Sequence, residues 1–239
     1  MTAVTRLFPC PRPIIGVVHL LPLPGSPRWA GDMDAVLRRA REDAAALASG
    51  GCDGLIVENL GDAPYLPGPV PPVTVAAMAR AVEAVRGAVG PQVPLGVNVL
   101  RSDAVAALSV AAVCGARFIR VNVHLGAMVA TEGLLQGQAH ETLRLRRALG
   151  VDVAVLADVL VKHAVPLGAQ ELAFVARETA LRGLADALVV SGRATGEATA
   201  AADVRRVKEA VPGTAVLVGS GLTPEDLEPL RAADGAIVG

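Results

Sequence analysis

The stretch VDVAVLADVLVKHAVPLGAQELAFVARETALRGLADALVVS, residues 151–191, decides the fold. It holds two apolar runs, Val153–Val159 and Ala187–Ser191, separated by a segment with helical character, Ala169–Leu181. A strand, a helix and a second strand in that order place the two strands parallel, because the helix carries the chain back to the edge where it started. Neither run alternates polar with apolar residues. That is the pattern of a strand covered on both faces.

Working outward, the same unit recurs in both directions. Further strands are read at Ile14–Val18, Gly54–Glu58, Leu95–Val99, Phe118–Val123, Ala215–Gly219 and Gly235–Val238, which makes eight in all. The intervening helices are punctuated: Asp32 is an N-cap, Met33, Val36, Leu37, Ala40, Ala44 and Leu47 share one face, and Gly50-Gly51 ends that helix. Thr223-Pro224-Glu225-Asp226 reads as another helix start, with Pro at the first helical position. Other helices are read over Val73–Val89, Asp103–Cys114, Gln138–Leu149 and Thr199–Val211. Eight such units in 239 residues predict a (β/α)8 TIM barrel, one domain over 1–239. An open doubly wound sheet is the competitor, but its GxGxxG turn is absent after the first strand, where His19-Leu20-Leu21-Pro22-Leu23-Pro24-Gly25 stands instead. Only Gly239 follows the eighth strand, so a barrel lacking the final helix, and with it part of a phosphate cup, is expected over these residues.

Composition removes several classes of function. With 22 basic and 23 acidic residues the net charge is −1, and aromatics make only 2% of the chain, so neither a basic footprint nor a base-stacking platform for nucleic acid is present. The longest uncharged stretch, Ala63–Ala79, carries five prolines and cannot form an integral membrane helix. No secretory signal precedes the prolines of the N-terminus, so a cytoplasmic location is the default expectation. Three cysteines, Cys10, Cys52 and Cys114, without CxxC spacing read as reduced structural thiols.

In barrels of this kind the C-terminal strand ends carry the chemistry. Here they are polar in turn: His19, Glu58-Asn59, Asn98, Asn122 with His124, Asp158 followed by Lys162-His163, Ser191 and Ser220. Asp158, Glu58 and His19 are the candidate catalytic groups, as acid, base or, for Asp158, a metal ligand. Against this, Asp158 could cap a loop, and Glu58 could neutralise Arg120, a buried guanidinium that needs a carboxylate. Asn98, Asn122, His124, Lys162, Ser191, Thr195 and Gly196 are candidate substrate-binding residues. Lys162 reads as a solvated loop lysine unless it is desolvated and turned into the barrel. The Ser191–Gly196 turn reads as a loop over the pocket. Gly219, Ser220, Gly221 and Gly239 lie where such barrels hold phosphate, although tight turns alone could require the glycines. No cofactor motif occurs. A divalent ion held by carboxylates with His19, His124 or His163 stays open, and no metal site is assigned. The proline-rich loop Leu60–Pro67 is an ordered wall or a homo-oligomer contact.

The strings IIGVVHLLPLPGSP (14–27), GLIVENLGDAPYLPGPVPP (54–72), GVNVLRSDAVAAL (96–108), FIRVNVHLGA (118–127), ADVLVKHA (157–164), SGRATG (191–196), VGSGLTPEDL (218–227) and DGAIVG (234–239) together resemble the BtpA family. Its members share a ribulose-phosphate-binding-type barrel. Leu125, Tyr65 and Leu60 depart from the family's common pattern. The polar strand ends and glycine turns point to an enzyme acting on a small phosphorylated sugar or nucleoside; the resemblance implies nucleosidase-type relatives, and the barrel with a phosphate cup is similar to lyases and isomerases of phosphorylated sugars. The resemblance also implies an alternative, a non-catalytic assembly or regulatory factor, since the family takes its name from photosystem I biogenesis.

Overall fold

The computed structural model describes residues 2–192, 199–224 and 227–239. Eight parallel strands close into a barrel: β1 (Ile14–His19), β2 (Gly54–Glu58), β3 (Leu95–Asn98), β4 (Phe118–Val121), β7 (Ala154–Val159), β9 (Ala187–Val190), β10 (Ala215–Val218) and β11 (Ala236–Val238). Around the ring the order is β1-β2-β3-β4-β7-β9-β10-β11, with β11 pairing back to β1. The crossovers are α2 (Met33–Ser49), α3 (Pro72–Val89), α4 (Ala104–Cys114), α5 (Ala139–Leu149), α6 (Leu172–Arg177) with a π-turn at Glu178–Arg182, α7 (Ala201–Ala210) and α8 (Glu228–Ala232). Among the described residues, no helix is long and apolar enough to cross a membrane.

Strand parity sorts the core into two layers, because successive side chains point to opposite faces. Ile15, Val17, Ile56, Phe118, Ala154, Leu156, Ala187, Val189, Ala215, Leu217 and Ile237 fill the interior as one cluster. Val18, Leu55, Val57, Val97, Ile119, Val121 and Val155 face the helices. The largest interior side chain, Phe118, fits only because its register partner is Gly96, where a Cβ would overlap the ring. A short helix that the sequence reading did not anticipate, α1 (Ala3–Leu7), closes the N-terminal end: Val4, Leu7 and Phe8 join the interior cluster. Phe8 meets Phe118 edge-on at 5.7 Å between ring centroids, above Gly54, whose Cβ would lie 2.5 Å from the Phe8 ring.

The same end carries a repeated device. Asp53, Asp186 and Asp234 each stand just before a barrel strand and each accepts a backbone N–H of the neighbouring strand: Ile14 at 2.8 Å, Val155 at 2.8 Å and Val216 at 2.7 Å. Each aspartate's own N–H donates back to the carbonyl of that residue. These reciprocal pairs pin strand register at three seams of the barrel.

Two further features differ from expectation. A three-stranded antiparallel sheet interrupts the alternation: β5 (Ala127–Ala130) and β6 (Gly133–Gln136) form a hairpin, and β8 (Ala164–Pro166) pairs with the other edge of β5. Its turn, Thr131-Glu132, lacks the Asn-Gly signature of two-residue hairpins, and only Gly133, with φ +110°, marks it. The last helix begins at Glu228 rather than beside Thr223-Pro224, and Glu225 and Asp226 lie outside the described residues. Pro229 in its first turn lacks an N–H that a helix start does not use.

Candidate functional site at the barrel mouth

Continuing the inward parity past the aliphatic layers leads from Val17 to His19, Ile56 to Glu58, Gly96 to Asn98, Phe118 to Arg120 and Asn122, Leu156 to Asp158, Val189 to Ser191, Leu217 to Gly219 and Ile237 to Gly239. The change from Val, Ile and Leu to His, Glu, Asn, Arg, Asp and Ser occurs at one level of the barrel.

On one side, His19, Glu58 and Asn98 lie in a single register row across β1, β2 and β3. Asn98 Nδ2 donates to Glu58 Oε2 at 2.5 Å, and His19 Nε2 stands 3.7 Å from Glu58 Oε1. The Glu58 side chain is 8% exposed and that of His19 is 38%, so the imidazole beside the carboxylate is the more open to solvent. Next around the ring, on β4 and β7, Arg120 holds Asp158 with both arms, Nε to Oδ1 at 2.9 Å and Nη2 to Oδ2 at 3.1 Å, and Asn122 Nδ2 adds a third bond to Oδ2 at 2.9 Å. Burial pulls the guanidinium's pKa down, but the charge and hydrogen bonds of Asp158, with a further contribution from Glu58, carry it above its ordinary value. The reading of Glu58 as the neutraliser of Arg120 is therefore corrected. β4 pairs with β7, which brings Asp158 to the guanidinium, whereas β2 lies two strands away on the other side.

Lys162 follows β7 half-buried, and its ammonium is pushed below the usual lysine range by burial and then by Arg120, with Glu58 and Asp158 opposing. Its electrostatic neighbours are thus the charges of the mouth. His124 is different. The strand ends at Val121, and the imidazole turns to the π-turn side of the fold, where Nε2 lies 2.8 Å from Gly183 O. Burial lowers its pKa, and the Gly183 carbonyl partly offsets this.

Gly219 has no room for a side chain: a Cβ would overlap Ser191 Oγ and stand 3.5 Å from Arg120 Nη2. Its N–H donates to Val190 O at 2.7 Å, so it belongs to the sheet rather than to an anion cradle. The next turn is held by Thr199, whose Oγ1 donates to Ser220 O at 2.9 Å, and Gly221 has φ +71°. Gly239 packs on His19, with a Cβ position 2.9 Å from Cε1. Thr195 and Gly196 lie outside the described residues. The Leu60–Pro67 loop is an ordered wall: Asp62 accepts from Leu23 N at 2.7 Å and Asn59 Nδ2 at 2.9 Å, while Asn59 Oδ1 accepts from Leu100 N at 2.7 Å.

Four buried polar atoms at this level have no hydrogen-bond partner among the described residues: Asn98 Oδ1, Asn122 Oδ1, Ser191 Oγ and Ser220 Oγ. Buried polar atoms are otherwise nearly always paired, so unpaired acceptors and hydroxyls gathered at one barrel end set this level apart from the aliphatic layers below it. Among the described residues, no group of three or more His, Cys, Asp or Glu side chains is disposed to hold a metal ion. A separate cleft of about 210 Å³ is lined by Pro67, Gly68, Ser102, Asp103 and Leu134–Gln136, and by none of the inward strand-end residues.

Two charged residues near the mouth escaped a search restricted to strand ends: Arg101, in the loop after β3, and Glu132, on the β5–β6 turn. Tyr65 belongs with them. Burial raises its phenol pKa, Glu58 adds to this, Arg101 opposes it and Glu132 adds again, so the ring stands among all three charges.

The fold defines a (β/α)8 barrel protein whose C-terminal strand ends carry a polar rim. The chain belongs to the BtpA family, whose model matches residues 10–239. It is 50% identical over 234 residues to the photosystem I biogenesis protein BtpA of Synechocystis sp., covering 98% of this chain and 81% of that one. An uncharacterized protein of Thermococcus kodakarensis is 47% identical over 229 residues, covering 95% and 85%. Among solved structures, the sialic acid aldolase of Ruminococcus gnavus superposes with a TM-score of 0.59 at 11% identity, over 95% of this chain and 68% of that one. That last likeness concerns the barrel alone.

Proposed function

We propose that the barrel mouth is the active site of an enzyme acting on a small phosphorylated sugar or nucleoside by acid/base chemistry. The observation that carries this reading is the set of buried, unpaired polar atoms around two carboxylates. Glu58 and His19 exchange protons with the substrate, the imidazole passing them to solvent. Asp158 has both oxygens occupied by Arg120 and Asn122, which suits it to holding those donors in place and to balancing a cation developing at the anomeric carbon. Asn98 and Asn122 offer free carbonyl oxygens to ligand hydroxyls, and Lys162 adds a cation. Phosphate sits toward β10 and β11, taken by the Ser191 and Ser220 hydroxyls and the backbone of Gly221, beside the Arg120 guanidinium. Cleavage, as in a nucleosidase or lyase, and isomerisation both fit this set.

Melting temperatures measured with pentose phosphates, hexose phosphates, nucleoside monophosphates and inorganic phosphate test the reading. At a hundredfold excess over Kd a ligand stabilises by about 2.7 kcal/mol, a shift of several degrees. A well-folded protein that none of these compounds stabilises would remove the proposal.

The 50% identity to a photosystem I biogenesis protein favours a second reading, a non-catalytic assembly factor. Glu58→Gln separates the two. An assembly factor keeps its cellular role with this isosteric change, and an enzyme loses it.

A further inference from the structure

Beside the inner ring of polar side chains lies a second pair of charges that the fold leaves partly unpaired. Arg101 is 7% and Glu132 11% exposed. Arg101 Nη2 donates to Lys162 O at 2.7 Å, which ties the β3 loop to the β7 loop. The rest of the pair is unfinished: Arg101 Nε and Glu132 Oε2 stand 3.9 Å apart, and both atoms are buried with no hydrogen-bond partner among the described residues. Arginine and carboxylate in contact normally close to 2.7–2.9 Å, as Arg120 and Asp158 nearly do here. A buried charged pair held open is costly unless something stands between.

The chemistry of what fits is narrow. Arg101 Nε–H can only donate and Glu132 Oε2 can only accept. An anion would satisfy the first and be repelled by the second, and a cation the reverse. A hydroxyl does both at once, accepting from the guanidinium and donating to the carboxylate. An oxygen about 2.8 Å from each atom fits a separation of 3.9 Å.

We propose that Arg101 and Glu132 form an outer subsite that reads a hydroxyl of a sugar-type ligand seated in the barrel mouth, and that the β5–β6 hairpin, which carries Glu132, sets which sugars are accepted. This rests on the reading of the mouth as a sugar-phosphate site and adds to it the residues that choose among sugars. Tyr65, whose hydroxyl donates to Leu60 O at 2.9 Å, feels the charges of both Glu58 and the outer pair. Glu132 Oε2 accepts no hydrogen bond among the described residues, but its charge stands 3.9 Å from the buried Arg101 guanidinium, so recognition is separated from stability by comparing sugar phosphate with inorganic phosphate.

The test uses the full chain, its Glu132→Ala variant and the panel above, each sugar phosphate accompanied by its available deoxy analogues. Kd values come from titration calorimetry. For the aldose phosphate that binds the wild type best, the variant is expected to bind about ten- to a hundredfold more weakly, with unchanged affinity for inorganic phosphate, at a temperature well below the variant's melting, which falls as Arg101 loses the carboxylate beside it. One deoxy analogue should show the same loss in the wild type and no additional loss in the variant. Equal binding of the sugar phosphate by both proteins overturns the subsite while leaving the mouth as a sugar-phosphate site. An equal loss for inorganic phosphate overturns it too, since Glu132 would then act on the whole site. A wild type that binds none of the panel overturns both readings, and is told apart by the silence of the wild type itself.

Discussion

Carboxylates ring both ends of this barrel, and they are used differently. At the N-terminal end Asp53, Asp186 and Asp234 each accept the N–H of an adjoining strand, and two of them also hold a cation: Arg146 at 2.6 Å from Asp186, and Lys208 at 2.7 Å from Asp234. At the C-terminal end Glu58 shares its oxygens between Asn98 and the neighbourhood of His19, and the side chains around it keep unpaired atoms. The residue types overlap, so charge alone does not separate structure from function. Completeness of hydrogen bonding does. Asp158 is the informative exception, a mouth residue wired as fully as those of the opposite end.

That exception yields the largest expected effect. Asp158→Ala leaves a buried guanidinium without its partner, which costs about 3–5 kcal/mol, or roughly 6–20 °C in melting temperature for a chain of this size. The double change Arg120→Met with Asp158→Leu should recover most of that loss, and a single variant as stable as the wild type would place Asp158 with the unfinished residues. Next comes the N-terminal end. Asp186→Ala removes charge-assisted bonds to Val155 and Arg146, worth about 1.5–3 kcal/mol, and should lower melting by roughly 3–12 °C without changing ligand affinity. A change in affinity would contradict the division between the two ends. Glu58→Gln, by contrast, should shift melting by less than about 2 °C, because the amide oxygen still accepts from Asn98, while abolishing turnover of any substrate found.

The smallest effect concerns pH. The folded His124 ring has its pKa lowered by burial, so below about 6.5 the unfolded chain takes up a proton that the folded ring refuses. Stability then declines as pH falls from that value toward the folded pKa. His124→Gln keeps an N–H for the Gly183 carbonyl and should flatten this decline. Parallel melting curves of the two proteins between pH 7.5 and 5 would argue against a buried neutral ring.

The barrel was legible in the sequence because parallel strands buried on both faces leave unbroken Val, Ile and Leu runs, and a helix separates each from the next. Inward parity was legible for the same reason, so His19, Glu58, Asn98, Asn122, Asp158 and Ser191 could be chosen from strand ends alone. Which inward side chains meet was not. Arg120 had two carboxylates within reach of a linear reading, and only closure of β4 against β7 selects Asp158. His124 shows where parity stops, since the strand ends three residues before it. The hairpin and its Glu132 gave little signal, as Thr131-Glu132 is an ordinary pair of surface residues until the turn folds over the mouth. The three N-terminal aspartates sit in CDGLIV, ADALVV and ADGAIV, a weak internal repeat whose meaning becomes visible only when each aspartate is seen beside its neighbouring strand.

The aromatic floor has a consequence for proton traffic. Among the described residues, Phe8, Phe118 and the aliphatic layers above them fill the barrel axis beneath Glu58, so under the proposed acid/base reading its protons do not come from the N-terminal side. Whatever it gives or takes must enter by the mouth, past an imidazole that is itself open to water. If the mouth is the proposed active site, a substrate that leaves His19 open lets its proton pass to solvent by way of the imidazole, and one that covers His19 holds that proton for return.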